Sequence, residues 1–572
     1  MSDQKPSDAA IQQTRKKTVS NSTKDELATN RSSKKASSKR VSKRRQNSSL
    51  RAGLAVMGGR AAGALSRRLH LGGGTSIAGM VAQRVYPDIV EHLSNQLAHG
   101  SILVTGTNGK TTTSGFISAI LSDAGLRVWR NREGSNLMQG VAGSLVIRAQ
   151  PDGNLRRAGQ AISIFEIDEA VMPQAVQLLS PRAVAFTNLF RDQLDRFGEV
   201  DAVSGRWQQA IDLLPENTTL VLNADDPTTA YLSESFSGRV VFFGIDDPSF
   251  DLANEDTASE RHQVLDTRTC PSCGGELMYM LQYYSHLGHY QCTQCKRQRP
   301  RADVRALKIV TDGIDRLRIQ IQTQTQQGEI VVPLAGFYNV YNALAAIATT
   351  QALGINWEPI VTGIEQFKPA FGRGERVHVE GRTVRLLLAK NPTGFNEVLR
   401  TLFSDGIQRH VLFVLNDNIA DGQDISWIWD VDFERTHHQF ATLTVAGTRA
   451  LDLALRLKLA GIELETMAIV NSTPLRALKA TQESKAGKIR QNRRKRKKVA
   501  TQNVPITDID DNTSNHTLAK IHGISHALDT AIQRTPSGET LFVIPTYTGL
   551  LEIHHELERR GLTPRYWEES GP

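Results

Sequence analysis

The chain has 572 residues, of which 40% are hydrophobic, 22% charged and 6% aromatic. At roughly 150 residues per domain, this length predicts three or four domains, each able to bury its own core. The 44 glycines and 20 prolines exclude a collagen-like or wholly disordered chain. The sequence has no apolar run near the ~20 residues that span a bilayer and no secretory signal, so we expect a cytoplasmic protein.

The net charge of +9 is concentrated in two short segments. Residues 1–50 carry thirteen Lys or Arg and four acids, residues 485–498 carry nine Lys or Arg and no acid, and each segment has a net charge of +9. The rest of the chain is therefore acidic, at −9. Segments this basic cannot bury a core, and we predict that both are disordered and solvated. Contact with the anionic inner membrane face is the alternative, since each Lys or Arg near it contributes roughly 1 kcal/mol.

The first half of the chain alternates apolar runs with amphipathic helical stretches. A helical pattern from Leu54 to about Leu97 is interrupted by glycines at 72–74, and the alternation then continues from Ser101 to about Gly354. The predicted strands are ILVTG (102–106), ISIFEI (162–167), AVAFTNL (183–189), TLVLNAD (219–225) and VVFFGI (240–245). This pattern predicts an α/β fold with a parallel sheet covered by helices on both faces.

A second α/β block begins near Arg376. Its predicted strands are VRLLLA (384–389), HVLFVLN (410–416), FATLTVAG (440–447) and TLFVIPTY (540–547). We therefore divide the chain into a basic tail over 1–50, a central domain over 51–372 and a C-terminal α/β domain over 373–572. The central domain contains an insertion at about 266–303, and the C-terminal domain contains the basic insertion at about 483–516.

A glycine-rich turn lies between the strand at 102–105 and the helical stretch after it. The turn consists of Gly106, Thr107, Asn108, Gly109, Lys110, Thr111 and Thr112. Backbone N–H groups at such a helix start bind polyphosphate, a lysine reaches the terminal phosphates, and a threonine hydroxyl binds Mg²⁺. The first glycine of the strict motif is replaced by Val104, so this is a shortened variant. We predict a site for ATP and Mg²⁺.

All four cysteines lie in the predicted insertion, as Cys270, Cys273, Cys292 and Cys295. Two C-x-x-C pairs separated by eighteen residues are typical of a tetrahedral Cys₄ zinc ribbon. Four thiolates leave no position for a catalytic water, which favours a structural Zn²⁺. The cations that follow could offset the −2 charge of the site or form a solvated face: Lys296, Arg297, Arg299 and Arg301.

The glycine-rich turn resembles that of the Mur ligases and folylpolyglutamate synthetases, and the resemblance continues in order along the chain. The matching segments are FEIDE (165–169), NLFRDQLDRFG (188–198), NADDP (223–227), GFYNVYNA (336–343) and GRGE (372–375). The resemblance implies a Mur-ligase-type central domain in which Glu166 binds Mg²⁺. It also implies that Asn339 and Asn342 contact the adenine of ATP and that Arg373 belongs to the ATP site at the hinge before the C-terminal domain.

The C-terminal block departs from the ordinary Mur ligases. Their D-Y-A-H-x-P motif is replaced by Lys390-Asn391-Pro392, and an acid- and Trp-rich stretch follows at 415–434. With the Cys₄ insertion, these features resemble the MurT family, the ligase subunits of lipid II isoglutaminyl synthases, over about 55–480 and 517–565. The resemblance implies ATP-dependent amidation of the D-glutamate α-carboxylate of the lipid II stem peptide in peptidoglycan synthesis. It also implies a GatD-like glutaminase partner whose Cys–His pair is completed by Asp421, with Asp417 and Asp424 as alternatives.

Two other functions compete with this one. A Mur or folylpolyglutamate-type ligase that adds an amino acid would share the ATP site, but the missing D-Y-A-H-x-P motif and the Cys₄ insertion disfavour it. A nucleic-acid-binding protein would explain the zinc ribbon and the basic segments, which supply phosphate affinity without specificity. It would not explain a Mg²⁺–nucleotide site, so nucleic acid is not the expected partner.

Overall fold

The computed structural model describes residues 50–68, 74–131, 134–191, 200–252, 266–369, 372–471 and 513–563. The helices are α1 (50–68), α2 (Thr75–Val85), α3 (Ile89–Ser94), α4 (Lys110–Asp123), α5 (Met138–Arg148), α6 (Met172–Leu179), α7 (Val200–Asp212), α8 (Pro227–Tyr231), α9 (Tyr338–Ala352), α10 (Trp357–Glu365), α11 (Pro392–Phe403), α12 (Ala450–Leu459), α13 (Thr513–Arg534) and α14 (Tyr547–Arg559). None of the helices described is long and apolar enough to cross a bilayer.

The strands form three sheets. They are β1 (Ser101–Thr105), β2 (Arg127–Arg130), β3 (Ala161–Glu166), β4 (Ala183–Phe186), β5 (Thr219–Asn223), β6 (Arg239–Ile245), β7 (Leu277–Tyr284), β8 (Leu287–Cys292), β9 (Val304–Asp312), β10 (Arg316–Gln322), β11 (Gln327–Val332), β12 (Arg373–Val379), β13 (Arg382–Leu387), β14 (Arg409–Val414), β15 (Phe440–Gly447), β16 (Met467–Asn471) and β17 (Thr540–Pro545). Every strand predicted from the sequence is present.

The two basic segments fall almost wholly outside the described residues. The predicted tail over 1–50 is described only at Leu50, where α1 begins, and the predicted insertion over 483–516 is described only at 513–516, in the first turn of α13. Their predicted disorder and their alternative contact with a membrane face therefore stay predictions.

The chain divides into two compact units, of which the smaller contains residues up to 96 and 142–156. Its described part is helical, with α1, α2 and α3 ahead of a short turn that a bridge between Ala149 and Leu155 closes. The Arg60 guanidinium donates to the carbonyl of Ala149 at 3.2 Å, and the Gln96 side chain accepts from the Leu155 N–H at 2.8 Å.

The larger unit contains a central nine-stranded sheet in the order β11-β10-β9-β6-β5-β4-β1-β3-β2. From β2 to β9 the neighbouring strands are parallel, and β9, β10 and β11 then continue the sheet as antiparallel strands. Helix α9 packs on β5, β6 and α4, so its apolar residues join those of the strands in one core. Because β1 lies between β3 and β4 and is parallel to both, the turn that follows it opens at the carboxyl ends of the parallel strands.

The antiparallel hairpin of β7 and β8 joins this core to a second, smaller one. Tyr283, Tyr284 and Leu287 at its closed end are buried in the core of the central sheet. Leu277 and Tyr290 at its open end pack around the buried cysteines. The hairpin therefore connects the four-cysteine segment directly to the central sheet.

The C-terminal sheet, in the order β12-β13-β17-β14-β15-β16, is parallel except for the β12–β13 pair. Alternate residues of β14 point to opposite faces, with Val411 and Phe413 in one core and Leu412 and Val414 in the other. Helices α11 and α12 cover the first face, and α13 and α14 cover the second. This sheet therefore has helices on both faces, in a second α/β block as predicted.

Candidate active site and four-cysteine cluster

The glycine-rich turn lies between β1 and α4, as predicted. Gly106 has φ of +135° and Gly109 has φ of +86°, a region that favours glycine. A Cβ at Gly106 would lie 2.1 Å from Thr187 Oγ1, and a Cβ at Gly109 would lie 2.0 Å from Asn342 Oδ1. Both glycines are therefore required by backbone conformation and by space.

The end of β4 fixes the shape of this turn. The backbone N–H of Asn108 donates to Asn188 Oδ1 at 2.9 Å, and Thr187 Oγ1 donates to the carbonyl of Asn108 at 2.8 Å. Thr107 Oγ1 donates to the Phe190 carbonyl at 3.1 Å and accepts from the Phe190 N–H at 3.0 Å. The turn is thus preorganised before any phosphate binds. Residues 192–198, the rest of the motif that begins at Asn188, lie outside the described residues.

Glu166 ends β3 beside the start of α4, and it is buried. Its carboxylate accepts from Thr111 Oγ1 at 2.8 Å, from Ser114 Oγ at 2.7 Å and from Arg130 Nη2 at 3.1 Å. A threonine hydroxyl next to a carboxylate is the oxygen donor set that suits Mg²⁺ beside a polyphosphate. The two predicted Mg²⁺ residues, Thr111 and Glu166, therefore lie in contact.

Sequence reasoning missed the partner of Lys110. Its ammonium forms an ion pair of 2.6 Å with Glu169 and also donates to the carbonyl of Gly106. The signal was available, because Glu169 is the second glutamate of the FEIDE segment that supplied Glu166. The pair holds the lysine over the glycine-rich turn, where it can reach a phosphate.

The predicted adenine-binding helix lies against this turn. Asn342 Nδ2 donates to Asn339 Oδ1 at 2.9 Å, and Asn342 Oδ1 accepts from Thr113 Oγ1 of α4 at 3.3 Å. Asn339 Nδ2 donates to the carbonyl of Ala335 at 2.5 Å, just before α9. The structure therefore brings Asn339 and Asn342 together beside α4, and their contact with adenine stays a prediction.

The C-terminal domain also reaches the turn, a contact that the sequence did not predict. Asn391 Oδ1 caps α11 by accepting from the Gly394 N–H at 2.8 Å, while its Nδ2 donates to Asn108 Oδ1 at 3.1 Å. The hinge precedes it at Gly372, which has φ of +69° and donates to Glu375 Oε2 at 3.4 Å. Arg373 begins β12, and its side chain lies outside the described part of the chain.

The four cysteine sulfurs lie together, within 4.8 Å of one another. Cys270 and Cys295 are 3.7 Å apart at Sγ, and Cys273 and Cys292 are 3.5 Å apart. Zn–S bonds of about 2.3 Å in a tetrahedron separate the sulfurs by roughly 3.8 Å, so the cluster fits Zn²⁺. Burial raises the pKa of Cys292, but the N–H groups of Cys295 and Gln294 outweigh it and lower the pKa to about 6, which favours a thiolate.

Two of the four cations after the cysteines form ion pairs with carboxylates of the central domain. Arg299 Nε forms an ion pair of 2.5 Å with Asp225, and Arg297 pairs with Glu234. Each guanidinium is therefore balanced by a carboxylate. The expectation that the residue offsets the charge of the thiolates or lies on a solvated face is wrong for Arg299, whose partner is a buried carboxylate, and stays a prediction for the partly exposed Arg297.

The three aspartates of the loop after β14 have different environments. Asp421 is buried, and its carboxylate accepts from the Thr548 N–H at 2.8 Å and from Thr548 Oγ1, at the start of α14. Burial raises the pKa of Asp421, although the hydrogen bonds from Thr548 oppose that change. Asp417 accepts from Arg449 Nε at 2.7 Å, and the exposed Asp424 accepts from the Ser426 N–H at 2.8 Å.

Two family models match the parts of the chain that contribute residues to this site. The sequence model described as Mur ligase middle domain matches residues 104–282, and the model described as MurT ligase C-terminal matches residues 388–492. A relative from Staphylococcus aureus (strain COL), the MurT subunit of lipid II isoglutaminyl synthase (glutamine-hydrolyzing), is 34% identical over 68% of this chain and 84% of its own. The chain belongs to the MurT family.

A second member of the MurT family, from Streptococcus pneumoniae, is 33% identical over 69% of this chain and 84% of its own. Solved structures share the fold at lower identity. A pseudomurein peptide ligase type C from Methanothermus fervidus superposes with a TM-score of 0.54 at 20% identity, covering 83% of this chain and 81% of its own. The UDP-N-acetylmuramoylalanyl-D-glutamyl-2,6-diaminopimelate--D-alanyl-D-alanyl ligase from Acinetobacter baumannii gives a TM-score of 0.53 at 16% identity, covering 84% of this chain and 80% of its own. The predicted Mur-ligase-type α/β fold is thereby confirmed.

Proposed function

We propose that this chain is the ligase subunit of a lipid II isoglutaminyl synthase, which converts the α-carboxylate of the D-glutamate in the lipid II stem peptide to an amide. The main observation in support of the proposal is that two structural features lie together in one compact unit. A phosphate-binding turn with Thr111 and Glu166 in contact at 2.8 Å lies beside a C-terminal domain of the MurT type. Relatives at 33% and 34% identity are named for this reaction.

The chemistry requires activation of the carboxylate before an amide can form. A carboxylate oxygen attacks the γ-phosphorus of ATP, and ADP leaves. Ammonia then attacks the carbonyl carbon, and the carbon–oxygen bond to phosphate breaks as a proton is released. Backbone N–H groups of the turn and Lys110 hold the phosphates, while Thr111 and Glu166 would hold Mg²⁺, which neutralises the charge that develops on them.

The nitrogen source must lie outside this chain. Glutamine hydrolysis of the cysteine type needs an activated thiolate, and the four cysteines of the sequence are all in the cluster. A Zn²⁺ held by Cys270, Cys273, Cys292 and Cys295 would occupy every one of them. We therefore propose that a GatD-like glutaminase subunit supplies ammonia and that the aspartate loop at 417–424 meets that subunit, with Asp421 completing its Cys–His pair.

The decisive experiment separates the two nitrogen sources. The purified full chain, with ATP, Mg²⁺ and lipid II, should form the amide with an ammonium salt and not with glutamine. Adding a cysteine-bearing glutaminase encoded nearby should make glutamine effective. A panel of amino acids offered in place of ammonium tests the alternative ligase activity. Incorporation of an amino acid without amidation, measured by mass spectrometry of the stem peptide, would overturn the proposal.

A further inference from the structure

The four-cysteine segment continues into a buried ion-pair network. After Cys295 the chain turns back along β8, with the Cys292 N–H donating to the Arg297 carbonyl at 2.7 Å and the Arg299 N–H donating to the Tyr290 carbonyl at 3.0 Å. The backbone position of Arg299 is thus set by the same turn that holds Cys292 and Cys295. Its guanidinium lies inside the central domain, with the side chain 10% exposed.

Arg299 meets two carboxylates, one just after β5 and one just after β6. Its Nε donates to Asp225 Oδ1 at 2.5 Å, and its Nη2 lies 3.0 Å from Asp246 Oδ1 and 3.0 Å from the carbonyl of Ile245. Asp225 is fully buried, and among the described residues Arg299 is the cation paired with it. A buried carboxylate needs such a partner, because an uncompensated charge there is strongly unfavourable.

A hydrogen bond links Asp225 to the helix that carries the proposed nucleotide-binding residues. Its Oδ2 accepts from Tyr341 Oη at 2.8 Å, and Tyr341 precedes Asn342, whose Oδ1 fills the space beside Gly109. A displacement of Asp225 would therefore move α9 relative to the glycine-rich turn.

A second path runs through the neighbouring aspartate. Asp226 Oδ2 accepts from the Leu189 N–H at 2.8 Å, and the adjacent Asn188 accepts from the Asn108 N–H at 2.9 Å. Both paths end on the turn that is proposed to bind the phosphates, and both begin at the pair of aspartates beside Arg299.

We propose that Arg299 is a positioning residue through which the four-cysteine segment sets the geometry of the nucleotide site. Loss of the metal, or of the Arg299–Asp225 pair, weakens binding of Mg²⁺–nucleotide more than it slows the chemical step. The inference rests on the proposed ATP site, but it concerns nucleotide affinity and can be measured without lipid II or a glutaminase.

The test measures Kd for Mg²⁺–ADP by calorimetry, and KM for ATP and kcat for ammonium-driven amidation, with the full zinc-loaded chain. Arg299→Gln should raise Kd and KM by roughly threefold to thirtyfold, the range of coupling energies between linked sites, and should leave kcat near the wild-type value. Arg299→Lys should restore part of the affinity because it keeps the charge. Arg301→Gln, at an exposed position two residues away, should match the wild type.

Two further measurements keep the inference testable if Arg299→Gln unfolds. Tyr341→Phe removes only the hydroxyl that reaches Asp225 and should also raise Kd, and stripping zinc from the wild type with a chelator should raise it while the central domain stays folded. Unchanged Kd in folded Tyr341→Phe and in zinc-free wild type would overturn the inference. If the wild type itself binds no Mg²⁺–nucleotide, the proposed function fails instead.

Discussion

Asn391 of the C-terminal domain and Asn108 of the glycine-rich turn exchange amide hydrogen bonds, with N···O distances of 3.1 and 3.4 Å. Asn391 is also the N-cap of α11, so one side chain anchors a helix and contacts the glycine-rich turn. The backbone of Asn108 is itself held by Asn188 and Thr187. The position of α11 is therefore linked to the shape of the turn.

Two substitutions at Asn391 separate these roles. Asn391→Asp keeps a good N-cap but places a negative charge beside the turn, so we expect the melting temperature to stay near that of the wild type while KM for ATP rises. Asn391→Ala removes the cap and should lower the free energy of unfolding by about 1 kcal/mol. Asn217→Asp, at an exposed position, is the control. Wild-type KM in Asn391→Asp would show that the amide pair does not matter for nucleotide binding.

Lys110→Ala should reduce ATP-dependent amidation by about a hundredfold or more, because it removes a preorganised cation from the phosphate site. The fold should survive, since the lysine contributes an ion pair with Glu169 rather than core volume. Amide formation by mass spectrometry, with circular dichroism as a check on folding, measures both effects. The matched variant is Lys458→Ala on exposed α12, which should behave as the wild type. Normal turnover in Lys110→Ala would remove Lys110 from the site.

The sequence was sufficient for the parts of the site that depend on local pattern. The turn at 106–112 follows from local pattern, because a strand, a tight turn and a helix start must be contiguous. The closeness of the four cysteines follows from the spacing of their two pairs. Glu166 was expected from the resemblance to the Mur ligases. Most of the parallel strands were found as buried apolar runs, whereas the edge strands β2 and β16 were not predicted. Strands β9, β10 and β11 alternate buried apolar residues with more exposed polar ones, which is itself the pattern of a half-exposed strand. They were missed because only continuous apolar runs were interpreted as strands, and the pattern does not indicate which sheet a strand joins.

The residues that sequence reasoning missed are those that meet through tertiary contacts. Asn391 was noted only as a departure from a motif, and its contact with Asn108 joins residues 283 positions apart. Arg299 was grouped with its basic neighbours, yet it is buried against Asp225 from an earlier part of the chain. A run of basic residues does not indicate which side chain will be buried, because burial depends on the carboxylate that the fold places beside it.

The freshly purified, reduced protein should contain about one Zn²⁺ per chain, the capacity of a closed Cys₄ site. Cys273→Ser should lose the metal, because it removes one of four sulfurs that lie within 4.8 Å of one another. Metal analysis and the release of zinc to a colorimetric chelator measure both. Ser272→Ala, a neighbouring exposed residue, should retain the metal. A chain free of zinc, or full zinc occupancy in Cys273→Ser, would contradict the assignment.

Glu556 should contribute to acid unfolding of the C-terminal domain. Burial raises its pKa, but hydrogen bonds from Arg559, Arg560 and Ser525 outweigh burial and lower the pKa to about 2. Because the folded pKa lies below the unfolded one, this stabilisation is present above the ordinary glutamate pKa of about 4.3 and is lost as the pH falls toward about 2. The displacement corresponds to at most about 3 kcal/mol.

Urea unfolding at a series of pH values from about 6 down to about 3 tests this linkage. The free energy of unfolding of the wild type should fall with pH in that range, and Glu556→Gln should show a shallower fall from a lower starting value. Glu465→Gln, an exposed carboxylate outside this network, should keep the wild-type slope. Equal slopes for the wild type and Glu556→Gln would assign the acid sensitivity to other groups.

The aspartate loop allows the glutamine-driven and ammonium-driven reactions to be separated within one complex. Asp421→Asn should cripple amidation from glutamine and largely spare amidation from ammonium, because an aspartate that orients the partner's histidine takes no part in carboxylate phosphorylation. Asp421 also anchors α14 through Thr548. Thr548→Val removes the hydroxyl that donates to Asp421 and accepts from the amides of the same loop, and it is therefore the control for that structural role. Asp417→Asn and Asp424→Asn test the neighbouring carboxylates by the same two rates.

If Thr548→Val also lowers the rate of the glutamine-driven reaction, Asp421 acts by holding the loop against α14. If Asp421→Asn abolishes both reactions equally, Asp421 belongs to the ligase site.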